Sequence, residues 1–227
     1  MKISFKLIPI ACSMVLSLAG ASYLAAESKG TIDQVSGKPC AQCHRSKITG
    51  AFVHEAVAGL ECTPCHNATG GNHQKNRALY GVKDKSPKLC NECHDSKEKE
   101  KSVHPAIEAE GCISCHAPHN SPLKRLLRTE APALCFKCHD RGLLNEKETT
   151  KATGFRDGAN SMHYIHAGGS NNFSCFTCHD AHASSQPHMI RPKGTNGKDA
   201  VTITYTATDK GGNCTTSCHD ALGYERK

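Results

Sequence analysis

Residues 112–139 read CISCHAPHNSPLKRLLRTEAPALCFKCH, with one C-x-x-C-H motif at Cys112, Cys115 and His116 and another at Cys135, Cys138 and His139. Outward from there the motif recurs at Cys40/Cys43/His44, Cys62/Cys65/His66, Cys90/Cys93/His94 and Cys175/Cys178/His179. A variant with one extra residue between its cysteines stands at Cys214/Cys218/His219. Fourteen of the fifteen cysteines are thereby paired, and a histidine follows every pair. This is the spacing of c-type haem attachment. Two thiols a turn apart can form thioethers to the haem vinyl groups, and the adjacent imidazole falls under the ring as an iron ligand. Zinc ribbons and disulfides also pair cysteines, but neither asks for that histidine. With 15 histidines in 227 residues, seven chance neighbours have a probability on the order of 10⁻⁸, set against the attachment reading. Seven covalently attached haem c groups are expected. At the irregular last site a disulfide beside a stray histidine is the rival.

Leu, Ile, Val and Phe number 37 of 227 residues and Trp is absent. That is too little apolar material for a self-sufficient core, and composition alone would suggest disorder. Haem reverses the inference, because each group brings a large flat apolar ring that the chain can wrap. Attachment also restricts the unfolded chain much as a cross-link does, so the apoprotein is expected to be largely unfolded. The formal charge of +7 is offset in the same way, since a ferric haem with two imidazoles and two propionates nets about −1. Nucleic acid is accordingly not an expected partner.

The chain begins as export signals do. Lys2 and Lys6 precede an apolar run from Leu7 to Leu18, and the small-residue stretch Ala19 to Ala26 offers a cleavage site. Residues 1–26 are expected to be removed, leaving a single domain over 27–227. The apolar run is short for a membrane span, and no other run could serve as one. Cys12, the unpaired cysteine, falls inside it.

The motifs repeat in twos. Cys40 to Cys62 and Cys90 to Cys112 are each separated by 22 residues, while Cys135 and Cys175 are pushed to 40 by an insertion around Arg141 to Ser161. Similar lead-ins, Val53-His54-Glu55-Ala56 and Val103-His104-Pro105-Ala106, stand before Cys62 and Cys112, and Ile165-His166-Ala167 stands before Cys175. Haem-pair repeats are expected over about 38–82, 83–130 and 131–185, with a half-repeat at 186–227, stacked quasi-linearly. The expected fold class is mostly α with extensive loops and little regular secondary structure. A short helical turn is expected at each attachment site, with a longer helix over Ser121 to Arg128. The run Lys97 to Lys101 is expected to be a solvated helix face, and Val201 to Thr206, alternating apolar and polar, a strand or hairpin arm.

Function turns on the sixth ligand, because an iron with both axial positions filled mainly moves electrons. Eight histidines lie outside the motifs: His54, His73, His104, His119, His163, His166, His182 and His188. Seven are needed. His54, His104 and His166 share a lead-in position. His119 and His182 each stand three residues after a motif histidine; that span, at most about 10 Å, is too short to round the ring, so each is expected to serve a neighbouring haem. His73 and His188 complete the expected set, with His188 the nearest candidate before the last site, and His163 is the spare.

The stretch Cys112 to His139, with its C-x-x-C-H-A-P-H and L-C-F-K-C-H-D, resembles the doubled-CXXCH-motif multihaem cytochromes. With the lead-in histidines it is also similar to the periplasmic decahaem cytochromes that plug outer-membrane porins in metal-respiring bacteria. The resemblance implies haem-to-haem electron conduction through bis-histidine irons, with redox protein partners that include a porin and an extracellular cytochrome. It implies a periplasmic or outer-membrane-associated location and an anaerobic or extracellular respiratory chain. Seven sites instead of ten, the enlarged third repeat and the longer last spacer are departures from that pattern. A non-enzymatic carrier is the expectation. The alternative is a haem reductase of a small oxyanion, with one open iron at the site ending in His219. A subunit of a conducting filament is a third possibility within the carrier reading.

Overall fold

The computed structural model describes residues 34–35, 38–67 and 81–226. The expected signal segment with Cys12, and His73, lie outside the described residues.

Helix is confined to short pieces. Four-residue turns run over Cys40–Cys43, Glu55–Ala58, Gly142–Asn145 and Cys175–Cys178, and longer ones over Pro87–Asn91, Pro105–Glu110 and Met162–Ala167. The mostly-α expectation is overturned: the described chain is 27% helix and 25% strand, with a four-stranded antiparallel sheet. That sheet runs in the order Leu222–Glu225, Gly211–Thr216, Asp199–Thr208, Lys193–Asn196. The alternation at Val201, Ile203 and Tyr205 builds its central strand, putting these three side chains on the buried face. Gly197, at φ +60°, turns the first hairpin.

Two further helical expectations fail for local reasons. Ser121 to Arg128 contains only a 3₁₀ turn at Lys124–Leu126. Asn120–Ser121 is a strand paired with Phe52–Val53, and Arg125 and Leu126 take left-handed φ values of 59° and 56°, which no helix continues. Lys97 to Lys101 is an exposed turn.

Two-residue strand pairs join the repeats. Phe52–Val53 pairs with Asn120–Ser121, and Ser102–Val103 pairs with Ala183–Ser184. The same loop closes two successive repeats. Ser121 Oγ donates to the Leu127 carbonyl at 2.5 Å, and Ser184 Oγ donates to the Ile190 carbonyl. Both serines are buried.

Among the described residues the buried hydrophobic side chains are Ala183, Val201, Ile203 and Tyr205, all in the C-terminal part. Elsewhere large apolar groups such as Ile113, Ile165 and Val82 lie about half exposed. A polypeptide of this length normally buries some two-thirds of its surface around its own side chains. Among the described residues the repeats ahead of Ala183 bury no large hydrophobic side chain.

Candidate haem-binding sites

The six regular motifs share one piece of local structure. In each, the histidine N–H donates to the carbonyl of the first cysteine four residues back, at 2.9–3.0 Å: His44 to Cys40, His66 to Cys62, His94 to Cys90, His116 to Cys112, His139 to Cys135 and His179 to Cys175. One helical turn therefore sets both thiols and the imidazole together. The seventh site is built differently. Cys214 lies on a strand, opposite Tyr205 and Leu222, and the Thr216 hydroxyl accepts from the N–H groups of Cys218 and His219. The extra residue in the spacer follows from starting on extended chain. All fourteen motif cysteines are free of disulfides, the last pair included.

Six motif histidines each face one histidine from outside the motifs. The ring pairs, with centroid separations, are His54–His94 at 6.0 Å, His66–His119 at 5.9 Å, His104–His139 at 6.1 Å, His116–His182 at 5.9 Å, His163–His179 at 6.2 Å and His166–His219 at 6.3 Å. Their interplanar angles are 82°, 8°, 77°, 11°, 20° and 41° in the same order. Metal–nitrogen bonds of about 2.0–2.1 Å on opposite sides of an iron, plus roughly 1.1 Å from each nitrogen to its ring centre, put the centroids about 6.3 Å apart. Packed aromatic rings have no reason to keep one spacing over so wide a range of angles. Rotation of two imidazoles about a shared nitrogen–metal–nitrogen axis does keep it. Among the described residues no group of three or more His, Cys, Asp or Glu is placed to hold a bare metal ion.

The Doubled CXXCH motif family matches residues 54–99, 104–143 and 166–197, together more than half of the chain. The chain belongs to the doubled-CXXCH-motif family. It is a multihaem c-type cytochrome of electron transfer, with covalently bound haem c. No curated protein matches it.

The cytochrome's motifs follow one another in space as they do in sequence. The Cys90 thiol lies beside that of Cys112, and the Cys135 thiol beside that of Cys175. Cys65 lies within electrostatic reach of Cys93, Cys135 of Cys115, and Cys178 of Cys214 and Cys218. His44 is in the same relation to His119.

The surroundings of the rings suit axial ligands. Burial is the first cause holding His104, His119, His179 and His182 below the usual imidazole range, and it takes His163 down to about 4. These rings are therefore neutral, the form that binds a metal. Several are oriented through Nδ1: His116 by the Arg125 carbonyl at 2.8 Å, His179 by the His188 carbonyl at 3.1 Å, His166 by the Met162 carbonyl at 2.7 Å and His219 by the Asp220 carbonyl at 2.6 Å. Such outer partners fix the tautomer and raise ligand basicity.

Of the non-motif histidines named from sequence, His54, His104, His119, His166 and His182 each meet a motif ring of another site. His188 does not. Its ring packs on Tyr205 at 5.7 Å, and His166 is the ring opposite His219. The reason lies in the repeat: His188 stands nine residues after His179, as Arg125 stands nine after His116. Both residues are left-handed, at φ 56° and 59°, and it is their carbonyls that hold the motif ring. His163, the spare in the sequence count, is paired instead. Its signal was available in the three-residue spacing to His166, which puts both on one face of a helix.

Proposed function

We propose that this cytochrome carries seven haems and works as an exported, non-enzymatic electron relay. The reading is supported chiefly by the ring pairs. Each puts an imidazole on both sides of an iron position, leaving no axial place for a substrate. Bound haem supplies a one-electron ferric/ferrous couple. What the polypeptide contributes is position. The helical turns hold the motif rings, the inter-repeat strand pairs bring up His54, His104, His119 and His182, and burial keeps His104, His119, His163 and His182 neutral. The succession of neighbouring thiols from Cys65 to Cys218 favours closely spaced haems in an unbroken row. The alternative of a reductase needed an open iron at the last site, and there His166 faces His219.

His73 remains one of the ligands expected from the sequence. The signal-like residues 1–26 support export to the periplasm or the outer membrane, with redox proteins as donor and acceptor. Among the described residues no helix is long and apolar enough to cross a membrane. The test is the mass of the mature protein together with carbon monoxide added to its reduced form. Seven haems and an almost unchanged spectrum are expected. Substantial carbon monoxide binding would overturn the carrier reading, and a mass short by one haem would remove one site.

A further inference from the structure

Two rules govern which ring meets which. A lead-in histidine crosses to the first motif of the following repeat, as in His54–His94, His104–His139 and His166–His219. The second motif of a repeat receives its ring from the second motif of the following one, as in His66–His119 and His116–His182. By the second rule His179 should be met from a following second motif, yet the ring opposite it is His163, which stands ahead of its own motif.

We propose that His163 is the distal ligand of the iron at His179, and that the insertion in the third repeat supplies from within what each earlier repeat takes from its successor. The inference rests on the bis-histidine reading.

Three observations carry it. The His163–His179 rings lie 6.2 Å apart at 20°, close to the 8° and 11° of the other second-motif pairs and far from the 77° and 82° of the first two lead-in pairs. In the earlier repeats, moreover, the two kinds of opposing ring are joined backbone to backbone. The His54 N–H donates to the His119 carbonyl at 2.9 Å, and the His104 N–H donates to the His182 carbonyl at 2.8 Å. In the third repeat His163 and His166 sit three residues apart on the helix Met162–Ala167, so one helical turn replaces a junction between two repeats.

The insertion also builds a seat for His163. The Thr153 hydroxyl meets its Nδ1 at 2.9 Å, and Phe155 packs edge-on against it at 5.2 Å while lying against His166 at 5.8 Å. Thr153 Oγ1 is fixed in turn by accepting the Phe155 N–H at 2.9 Å. The hairpin Arg156–Asp157/Asn160–Ser161 then leads into the helix, capped by the Ser161 hydroxyl, which accepts from the Tyr164 N–H.

The test uses the full haem-loaded protein. His163→Ala should turn one haem, about one in seven, high-spin and able to bind carbon monoxide, as expected for loss of an axial ligand; His188→Ala should stay low-spin. His163→Met keeps a ligand of another kind, and should leave all irons low-spin while raising the midpoint potential of one haem. The methionine variant decides the matter if the alanine variant does not accumulate. Unchanged potentials in His163→Met, or a carbon-monoxide-silent His163→Ala with its full haem mass, would overturn the assignment. Carbon monoxide binding already present in the unaltered protein would instead overturn the bis-histidine reading on which it rests.

Discussion

Gly194→Ala is the substitution whose cost can be worked most directly from the packing. Gly194 lies on the strand Lys193–Asn196 where that strand crosses the attachment helix Cys175–Cys178. A methyl group there would fall on the Thr177 carbonyl oxygen, well inside van der Waals contact, and 3.1 Å from the Thr177 carbonyl carbon. Both are backbone atoms, so the strand and the helix must separate. Separation stretches the bond from Thr177 Oγ1 to the Thr195 carbonyl, now 3.0 Å, and Thr177 is only 3% exposed. Overpacking costs about 1–3 kcal/mol, and the strained hydrogen bond about 1 kcal/mol more. A total of about 3 kcal/mol lowers the melting temperature of a chain this size by roughly 6–12 °C. The check is thermal unfolding of the haem-loaded protein, followed by circular dichroism. A melting temperature within about 2 °C of the unaltered protein, where roughly 6–12 °C is expected, would refute the claim that the sheet rests on this helix through a glycine-wide gap.

Gln186→Ala should cost about 1–3 kcal/mol in a denaturant titration, because its amide both donates to the Ile203 carbonyl at 2.8 Å and accepts from the Tyr205 N–H at 2.6 Å; an unchanged midpoint would show that the sheet does not need this anchor. Stability should also fall on acidification. His104, His119, His163, His179 and His182 have folded-state values held down by burial, so the unfolded chain takes up protons first. Their contribution is complete above about 6.5 and lost progressively as pH falls towards the folded-state values. Melting temperatures measured between neutral pH and about 4.5 should decline; a flat profile would show that these rings take up protons equally in the folded and unfolded chain.

The chemistry of this chain was legible in its sequence because covalent attachment dictates residue types at fixed spacing. Each Cys-x-x-Cys-His occupies a single helical turn, so no distant contact is needed to recognise it. The opposing rings were readable where the repeat marked them, as at His54 and His104, or where chain length forbade the near haem, as at His119 and His182. His188 misled because nearness in sequence was used in place of repeat position, and only the left-handed backbone it shares with Arg125 reveals its role. The helical bias of the sequence reading had a similar origin. Ser121 to Arg128 has the composition of a helix, but a buried serine and two left-handed residues tie it into a loop. The terminal sheet announces itself only in Val201, Ile203 and Tyr205, while its partner strand Gly211–Thr216 carries glycines and a cysteine in place of a strand pattern.

The central claim is that pairs of imidazoles hold the irons at the angles the rings now take. Electron paramagnetic resonance of the ferric protein at low temperature reads this directly, because nearly perpendicular imidazole planes leave the iron orbitals almost degenerate and give strongly axial low-spin signals, whereas nearly parallel planes give rhombic ones. Two strongly axial haems are expected, at His94 and His139, where the rings cross at 82° and 77°. Rhombic signals are expected from His66, His116 and His179, at 8°, 11° and 20°. A spectrum of one signal type only, or one with a substantial high-spin component, would contradict the account.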